Sequence, residues 1–301
     1  MKSHNVEKTS LYKILSIVVV IILAILFTFP LYWIITGAFK TAQEINSTTP
    51  AWIPTEWTSK NFITLFSRQM VPLFEFKIPF TAMIVKGAKV PSAIKWLINT
   101  VFMAVAAMVL TCITATMAGY ALAKKRFTGK TVLFSLIVCA MALPKQVILI
   151  PLIKEMSSLH LMNTMGAVIY PTVGWPFGVF LMKQFSETIP NEMLEAARID
   201  GATELQTFNK VVIEMVKPGI GALAIFTFIN SWNDYFMQLI MLSSNVNLTI
   251  SLGIAKMQAE NSTDYGLIMA GATLASVPII IVFLIFQKYF TSGITMGAVK
   301  G

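Results

Sequence analysis

PNEMLEAARIDGATELQTFNKVVIEMVKP, residues Pro190–Pro218, is a long polar, charge-bearing connection in a chain that is otherwise mostly apolar. Pro190 can open a helix, because the first turn has no use for the amide hydrogen that proline lacks. Asn191 and Glu192 follow, polar and acidic, where the positive end of a helix dipole favours them. Leu194, Ala197 and Arg198 share one face at i, i+3/i+4 spacing, with Ala196 beside them. Gly201 falls where a helix closes on a left-handed residue. Directly after it, Thr203-Glu204-Leu205-Gln206 has the form of a capping box that starts a second helix. The pattern is helix, glycine break, helix. An amphipathic linker between two membrane spans would show the same local pattern.

Composition places that stretch. Of 301 residues, 56% are hydrophobic and 12% charged, where soluble domains carry roughly 25% charged residues. The chain therefore reads as a membrane protein. Cys112 and Cys139 both lie inside apolar runs, so no disulfide framework is implied. The net charge of +9 points to lysines and arginines gathered at cytoplasmic loops and anionic headgroups, with membrane lipid rather than nucleic acid as the partner. A basic start precedes the first apolar run, but no small-x-small cleavage site follows, so that run is expected to be a retained helix.

Crossing ~30 Å of hydrocarbon takes about 20 residues at 1.5 Å each. Apolar runs of that length fall at about 14–38, 96–123, 131–153, 165–185, 219–242 and 266–290, which predicts an all-α polytopic protein with six transmembrane helices. Residues 1–13 precede the first span, 39–95 form a long loop, 96–290 hold the five-helix core, and 291–301 are a tail. Within the loop, Pro72–Val85 is apolar enough to lie along a membrane surface. The tight basic turn Lys124–Lys130, the N-terminal lysines and the 190–218 stretch fall on one side, which the positive-inside rule makes cytoplasmic. Both termini share that side. Lysines in the first loop, Lys145 and Lys154 weigh against this, but long loops translocate regardless of charge.

With that placement, the central stretch resembles the EAA loop of the membrane-spanning subunits of bacterial ABC importers. It carries Glu195-Ala196-Ala197, three residues, then Gly201. The family continues with Ile-x-Leu-Pro. Here Val211-Val212-Ile213-Glu214 stands instead, with a later Pro218, which leaves the end of the second helix open. Phe29-Pro30-Leu31-Tyr32-Trp33 leading to Phe39-Lys40, Asn99-Thr100, Gly119-Tyr120-Ala121-Leu122-Ala123 and Asn230–Tyr235 resemble the sugar-type subgroup. Residues 293–301 resemble the tail of the shorter permease of maltose-type systems. The likeness covers nearly the whole chain and is weakest over Arg68–Val90, which looks like an insertion.

The resemblance implies a type I ABC importer permease fold in a bacterial cell (inner or plasma) membrane. Its partners would be a second permease, two ATPase subunits and an extracytoplasmic solute-binding protein. Glu195, Ala196, Ala197, Arg198, Asp200 and Gly201 would dock on an ATPase. Gly297, Ala298, Val299, Lys300 and Gly301 would run along the interface of the two ATPases. The solute would be a carbohydrate. The implied subunit is not an enzyme and needs no cofactor of its own, since its partners bind the ATP.

The residues themselves offer little other chemistry. Gly129-Lys130-Thr131 invites a phosphate-loop reading, but the glycine that motif needs five residues before Gly129 is Lys124. His4 and His160 lack metal-ligand spacing. The strongest polar group inside a span is Asn230, Ser231, Trp232, Asn233 and Asp234, costly in a bilayer and therefore a candidate substrate path. Asp234 would lie roughly 22 Å along its helix from Gly219. Amides, a hydroxyl, a carboxylate and an indole suit a sugar, while helix–helix hydrogen bonding would use the same groups. Trp175, between Gly174 and Pro176, is either a cavity residue or a packing and kink position. A secondary transporter or channel is the alternative function. It would need an ionisable relay, for which the spans offer almost nothing beyond Asp234.

Overall fold

The structure is a computed structural model that describes residues 3–77, 84–260 and 264–298. In chain order it contains α1 (Ser3–Ala38), α2 (Ala42–Ile45), α3 (Lys60–Ser67), then strands β1 (Met70–Pro72), β2 (Glu75–Lys77), β3 (Ile84–Lys86) and β4 (Lys89–Pro91). Next come α4 (Ser92–Lys124), α5 (Lys130–Met141), α6 (Leu149–Ser158), α7 (Gly166–Val173), α8 (Pro176–Glu187) and α9 (Asn191–Ile199). Last are α10 (Glu204–Thr207), a π-helical turn at Phe208–Val212, α11 (Ile213–Asn233), α12 (Tyr235–Met241), α13 (Ile250–Glu260) and α14 (Tyr265–Ala298). The chain divides into two compact units, residues 1–69 with 254–274 and residues 70–253 with 275–301.

In the first unit α1 carries Pro30 inside it. Its last turns are held by aromatic and polar contacts. Phe29, Trp33 and Trp52 form a cluster with ring centroids 5.7–6.1 Å apart. Lys40 is buried, donates to the Ala51 carbonyl at 2.5 Å and sits 4.2 Å from the Trp33 ring centre. Asn61 Nδ2 donates to the carbonyls of Ala38 and Lys40, both at 2.9 Å, which fixes the chain where α1 ends.

The second unit is built around α4, packed against α7, α8 and α11. Small residues set its closest approach. A Cβ on Gly119 would lie 2.6 Å from the Lys183 backbone nitrogen, so α4 and α8 cross at backbone contact. Beside that crossing a core of Ala115, Tyr120, Met182, Leu194, Val216 and Leu223 is buried. At the other end of α4, Trp96 Nε1 donates to Asn245 O and Asn99 Nδ2 to Val246 O and Leu248 O, each at 2.8 Å. Thr100 Oγ1 accepts from Ile250 N at 2.8 Å. The segment before α13 is thereby tied to α4.

The structure bears on several of these expectations. Four described helices are long and apolar enough to span a membrane: Leu11–Ala38, Ser92–Lys124, Glu204–Asn233 and Tyr265–Phe286. The runs expected at 131–153 and 165–185 are each interrupted, at 142–148 and at Gly174-Trp175, where Pro144 and Pro176 deny the backbone a hydrogen bond. Within the segment Pro72–Val85, expected to lie along a membrane surface, the described residues include strand rather than helix. β1 pairs antiparallel with β4 and β2 with β3, so the described parts of the insertion pair as short strands. The polar stretch does not end at Pro218, because the helix starting at Glu204 runs through its π turn and past Pro218 to Asn233. Finally, α14 continues as helix to Ala298, past 290 where the sixth run was expected to end. Val299, Lys300 and Gly301 lie outside the described residues.

Candidate functional site

The glycine break forms as its residues require. α9 ends at Asp200, and Gly201 has φ +77°, the left-handed region. Gly201 N donates to Arg198 O and Ala202 N to Ala197 O, both at 3.0 Å, the paired bonds of a Schellman ending. Thr203 Oγ1 then accepts from Gln206 N at 3.3 Å while Gln206 Oε1 accepts from Thr203 N at 2.8 Å, closing the capping box. The two helices meet in a rigid elbow. Leu194 anchors it in the core, while Glu195, Ala196, Arg198, Asp200 and Gly201 are exposed and Ala197 is half-buried.

Three side chains of α4 and its end hold the elbow. Lys124 Nζ donates to Ile189 O at 2.6 Å, Asn191 Oδ1 at 3.1 Å and Glu187 O at 3.3 Å, gripping the approach to α9. Lys125 pairs with Glu204, and Tyr120 Oη donates to the same Glu204 oxygen at 2.9 Å. Both halves of the break are thus tied to one helix end. The sequence reading missed these groups, treating Lys124 and Lys125 only as topology markers. It also missed Met193, Ile199 and Leu205, which leave large apolar side chains exposed around the elbow, Ile199 at 85%. Their signal was available: they are apolar, yet lie off the face that Leu194 buries. Exposed apolar side chains on both arms of the elbow are suited to another protein's surface.

The second place of interest is a cavity of about 360 Å³ inside the second unit. Asp234 stands at the break between α11 and α12, where its Oδ1 accepts from Met237 N at 3.3 Å and caps α12. Its Oδ2 accepts from Lys145 Nζ at 2.9 Å. That ammonium also sits 5.0 Å from the ring centre of Trp175, on the break between α7 and α8. Thr111, Thr172, Thr227 and Asn230 add polar groups to a wall that is otherwise apolar.

Of the five candidates on the polar run, Asn230 and Asp234 therefore face the cavity. The others do not. Ser231 and Trp232 are buried elsewhere, Trp232 stacked on Phe228 at 5.5 Å and Ser231 O accepting from Gln238, and Asn233 is exposed. Successive residues on a helix point about 100° apart, so five in a row could not all face one side. Trp175 lines the cavity at a helix break, which makes it both of the alternatives its sequence left open. Among the described residues no group of three or more His, Cys, Asp or Glu could hold a metal ion. Gly297 and Ala298 end the described backbone of α14.

Residues 112–296 match the family described as binding-protein-dependent transport system inner membrane component. The chain is 33% identical over 281 residues to the arabinooligosaccharides transport system permease protein AraQ of Halalkalibacterium halodurans, covering 93% of both chains. It is 30% identical over 275 residues to the sulfoquinovosyl glycerol transport system permease protein SmoH of Agrobacterium fabrum, covering 91% of this chain and 89% of that one. In fold it is similar to a chain of a bacterial ABC transporter that imports the acidic polysaccharide alginate. That likeness has a TM-score of 0.75 at 21% identity, over 94% of this chain and 98% of the other. A family match over most of the chain, full-length relatives that are transport permeases and a shared fold agree: this protein belongs to the binding-protein-dependent transport system inner membrane components, the permease subunits of ABC importers.

Proposed function

We propose that this permease carries a carbohydrate handed over by an external solute-binding protein. It would work with a second, similar permease and two ATPase subunits. The observation that carries the reading is the elbow, a rigid, exposed helix–glycine–helix turn rimmed by Met193, Ile199 and Leu205 and tied to α4 by Lys124 and Lys125. Such a surface can receive a push from a docked partner and pass it to the helices. Relatives that are permeases for arabinooligosaccharides and sulfoquinovosyl glycerol support a sugar as cargo.

In this reading the membrane is crossed six times. The interrupted pairs α5–α6 and α7–α8 serve as broken spans, whose freed backbone groups are satisfied inside protein or along a cavity. Both termini and the elbow are cytoplasmic, Glu195–Gly201 docks on an ATPase, and residues 297–301 lie along the ATPase pair. Closure of the ATPases around ATP biases the helices between inward- and outward-facing packings, an equilibrium shared between distant sites.

Proteoliposomes holding the four-subunit assembly test this. With binding protein and sugar outside, sugar should accumulate only when ATP is supplied on the ATPase side. Uptake without ATPases, driven by an ion gradient, would establish the secondary-transporter alternative instead.

A further inference from the structure

Three separate helix interruptions meet at the 360 Å³ cavity, and each supplies one of the groups that dominate its chemistry. Lys145 comes from the segment between α5 and α6, Trp175 from between α7 and α8, and Asp234 from between α11 and α12. Lys145 and Asp234 are the only charged residues in the described wall, and they neutralise one another at 2.9 Å. The two are not equally mobile. Asp234 is 14% exposed and held by its cap on Met237 N, whereas Lys145 is 38% exposed on a non-helical segment. Relative to its own helix end the carboxylate is therefore the held group and the ammonium the adjustable one. Thr111 also lines the cavity, but its hydroxyl oxygen is itself buried and not open to it.

Resting on the carbohydrate reading above, we propose that this cavity is a subsite for an uncharged sugar unit. Its recognition groups are the Lys145–Asp234 pair and Trp175, and it discriminates against acidic sugars. Sugar hydroxyls both donate and accept. One hydroxyl can accept from the ammonium while a neighbour donates to the carboxylate, so the ion pair keeps its charge balance. The apolar face of a sugar ring can lie on the indole of Trp175. A uronate meets a different wall. To reach Lys145 it must come within a few ångströms of Asp234, a like charge that its cap prevents from withdrawing. Displacing Asp234 would leave a largely buried carboxylate without its cation.

The test measures binding to the purified complex of permeases and ATPases without the binding protein, by ligand-observed saturation-transfer NMR. The probes are arabinotriose, which is neutral, and trigalacturonate, which is acidic. The wild-type complex should favour the neutral trimer by about tenfold or more, the factor that a modest difference in binding free energy gives. Asp234→Asn keeps an α12 cap, because asparagine caps as well as aspartate. It should shrink or invert the preference by a similar factor, since Lys145 loses its counter-charge. Lys145→Gln should enlarge the preference, since Asp234 then faces the cavity unpaired. Lys217→Gln, on an exposed pair outside the cavity, should leave it unchanged. A preference unmoved by Asp234→Asn and Lys145→Gln overturns the proposal, as does equal wild-type binding of the two trimers, and neither result touches the carbohydrate reading. A wild-type complex that binds neither trimer overturns the carbohydrate reading and the subsite with it.

Discussion

Replacing Gly201 should uncouple transport from ATP hydrolysis in proportion to how badly each new residue tolerates left-handed backbone. The geometry isolates that cause. Gly201 has φ +77°, and a Cβ built on it would meet no atom within 4 Å, so no steric clash with neighbours contributes. What remains is the intrinsic penalty, about 1–2 kcal/mol for an ordinary L residue, less for asparagine and more for a β-branched side chain. A cost of that size multiplies the open fraction of the turn by about 5–30. Opening would break the Gly201–Arg198 and Ala202–Ala197 bonds and release the capping box that follows. The expected order of coupled transport is Gly, Asn, Ala, Val. In the reconstituted assembly, sugar moved per ATP hydrolysed should fall along that series while membrane insertion stays constant. Hydrogen exchange at the Ala202 amide should rise in parallel. Wild-type coupling in Gly201→Val, or equal defects in Gly201→Asn and Gly201→Val, would refute the argument that the left-handed turn is what transmits the push.

Three further outcomes are expected. In a cysteine-free background, a cysteine at Lys125 should be shielded from an impermeant thiol reagent in intact cells while one at Ser243 reacts; labelling at Lys125 from outside would invert the topology. Lys125→Glu and Glu204→Lys should each weaken coupling by up to about fivefold, the value of a partly exposed pair worth about 0–1 kcal/mol, and the double exchange should restore it; failure of the restoration would mean the pair acts singly. Deleting residues 297–301 should reduce transport or disturb ATPase regulation with insertion unchanged, and a truncated subunit that assembles and transports like the full chain would make the tail dispensable.

What the sequence disclosed follows from the range of the interactions involved. The backbone course of the elbow was legible because its signals lie within sixteen residues, Asn191 to Gln206: an amphipathic turn, one glycine and one capping box. The cavity was legible only in part. Asn230 and Asp234 stood out as polar residues in an apolar run, but Lys145 lies 89 residues from Asp234, and its charge was read only as evidence about sidedness. Proline marked candidate interruptions without deciding among them. Pro30, Pro171, Pro218 and Pro278 sit inside helices, whereas helices stop near Pro144 and restart at Pro176. Whether a helix survives its proline depends on what else can accept the freed backbone groups, and that is a property of packing. The pairing of β1 with β4 and of β2 with β3 was hidden for a similar reason, because antiparallel strand pairing is a relation between segments that no single segment displays.

The elbow and the cavity are also connected, and the connection is covalent. Glu204, held by Lys125 and Tyr120 in the elbow, begins the helix that runs to Asn233, and Asp234 follows directly at its end. Those 30 residues span roughly 45 Å at 1.5 Å each. A helix resists stretching and bends mainly where its hydrogen bonding is already altered, here at the π turn Phe208–Val212 and at Pro218. Displacement of the elbow could therefore reach Asp234 as a tilt of that helix about those two points. Lys145 belongs to another segment, between α5 and α6, so the tilt need not carry it along. The Lys145–Asp234 pair consequently joins a part that follows the elbow to one that need not. It is the place where a push from a partner could change the shape of the cavity, and the ligand's hold on the same two charges would then bias the elbow in return, as reciprocal coupling between sites requires.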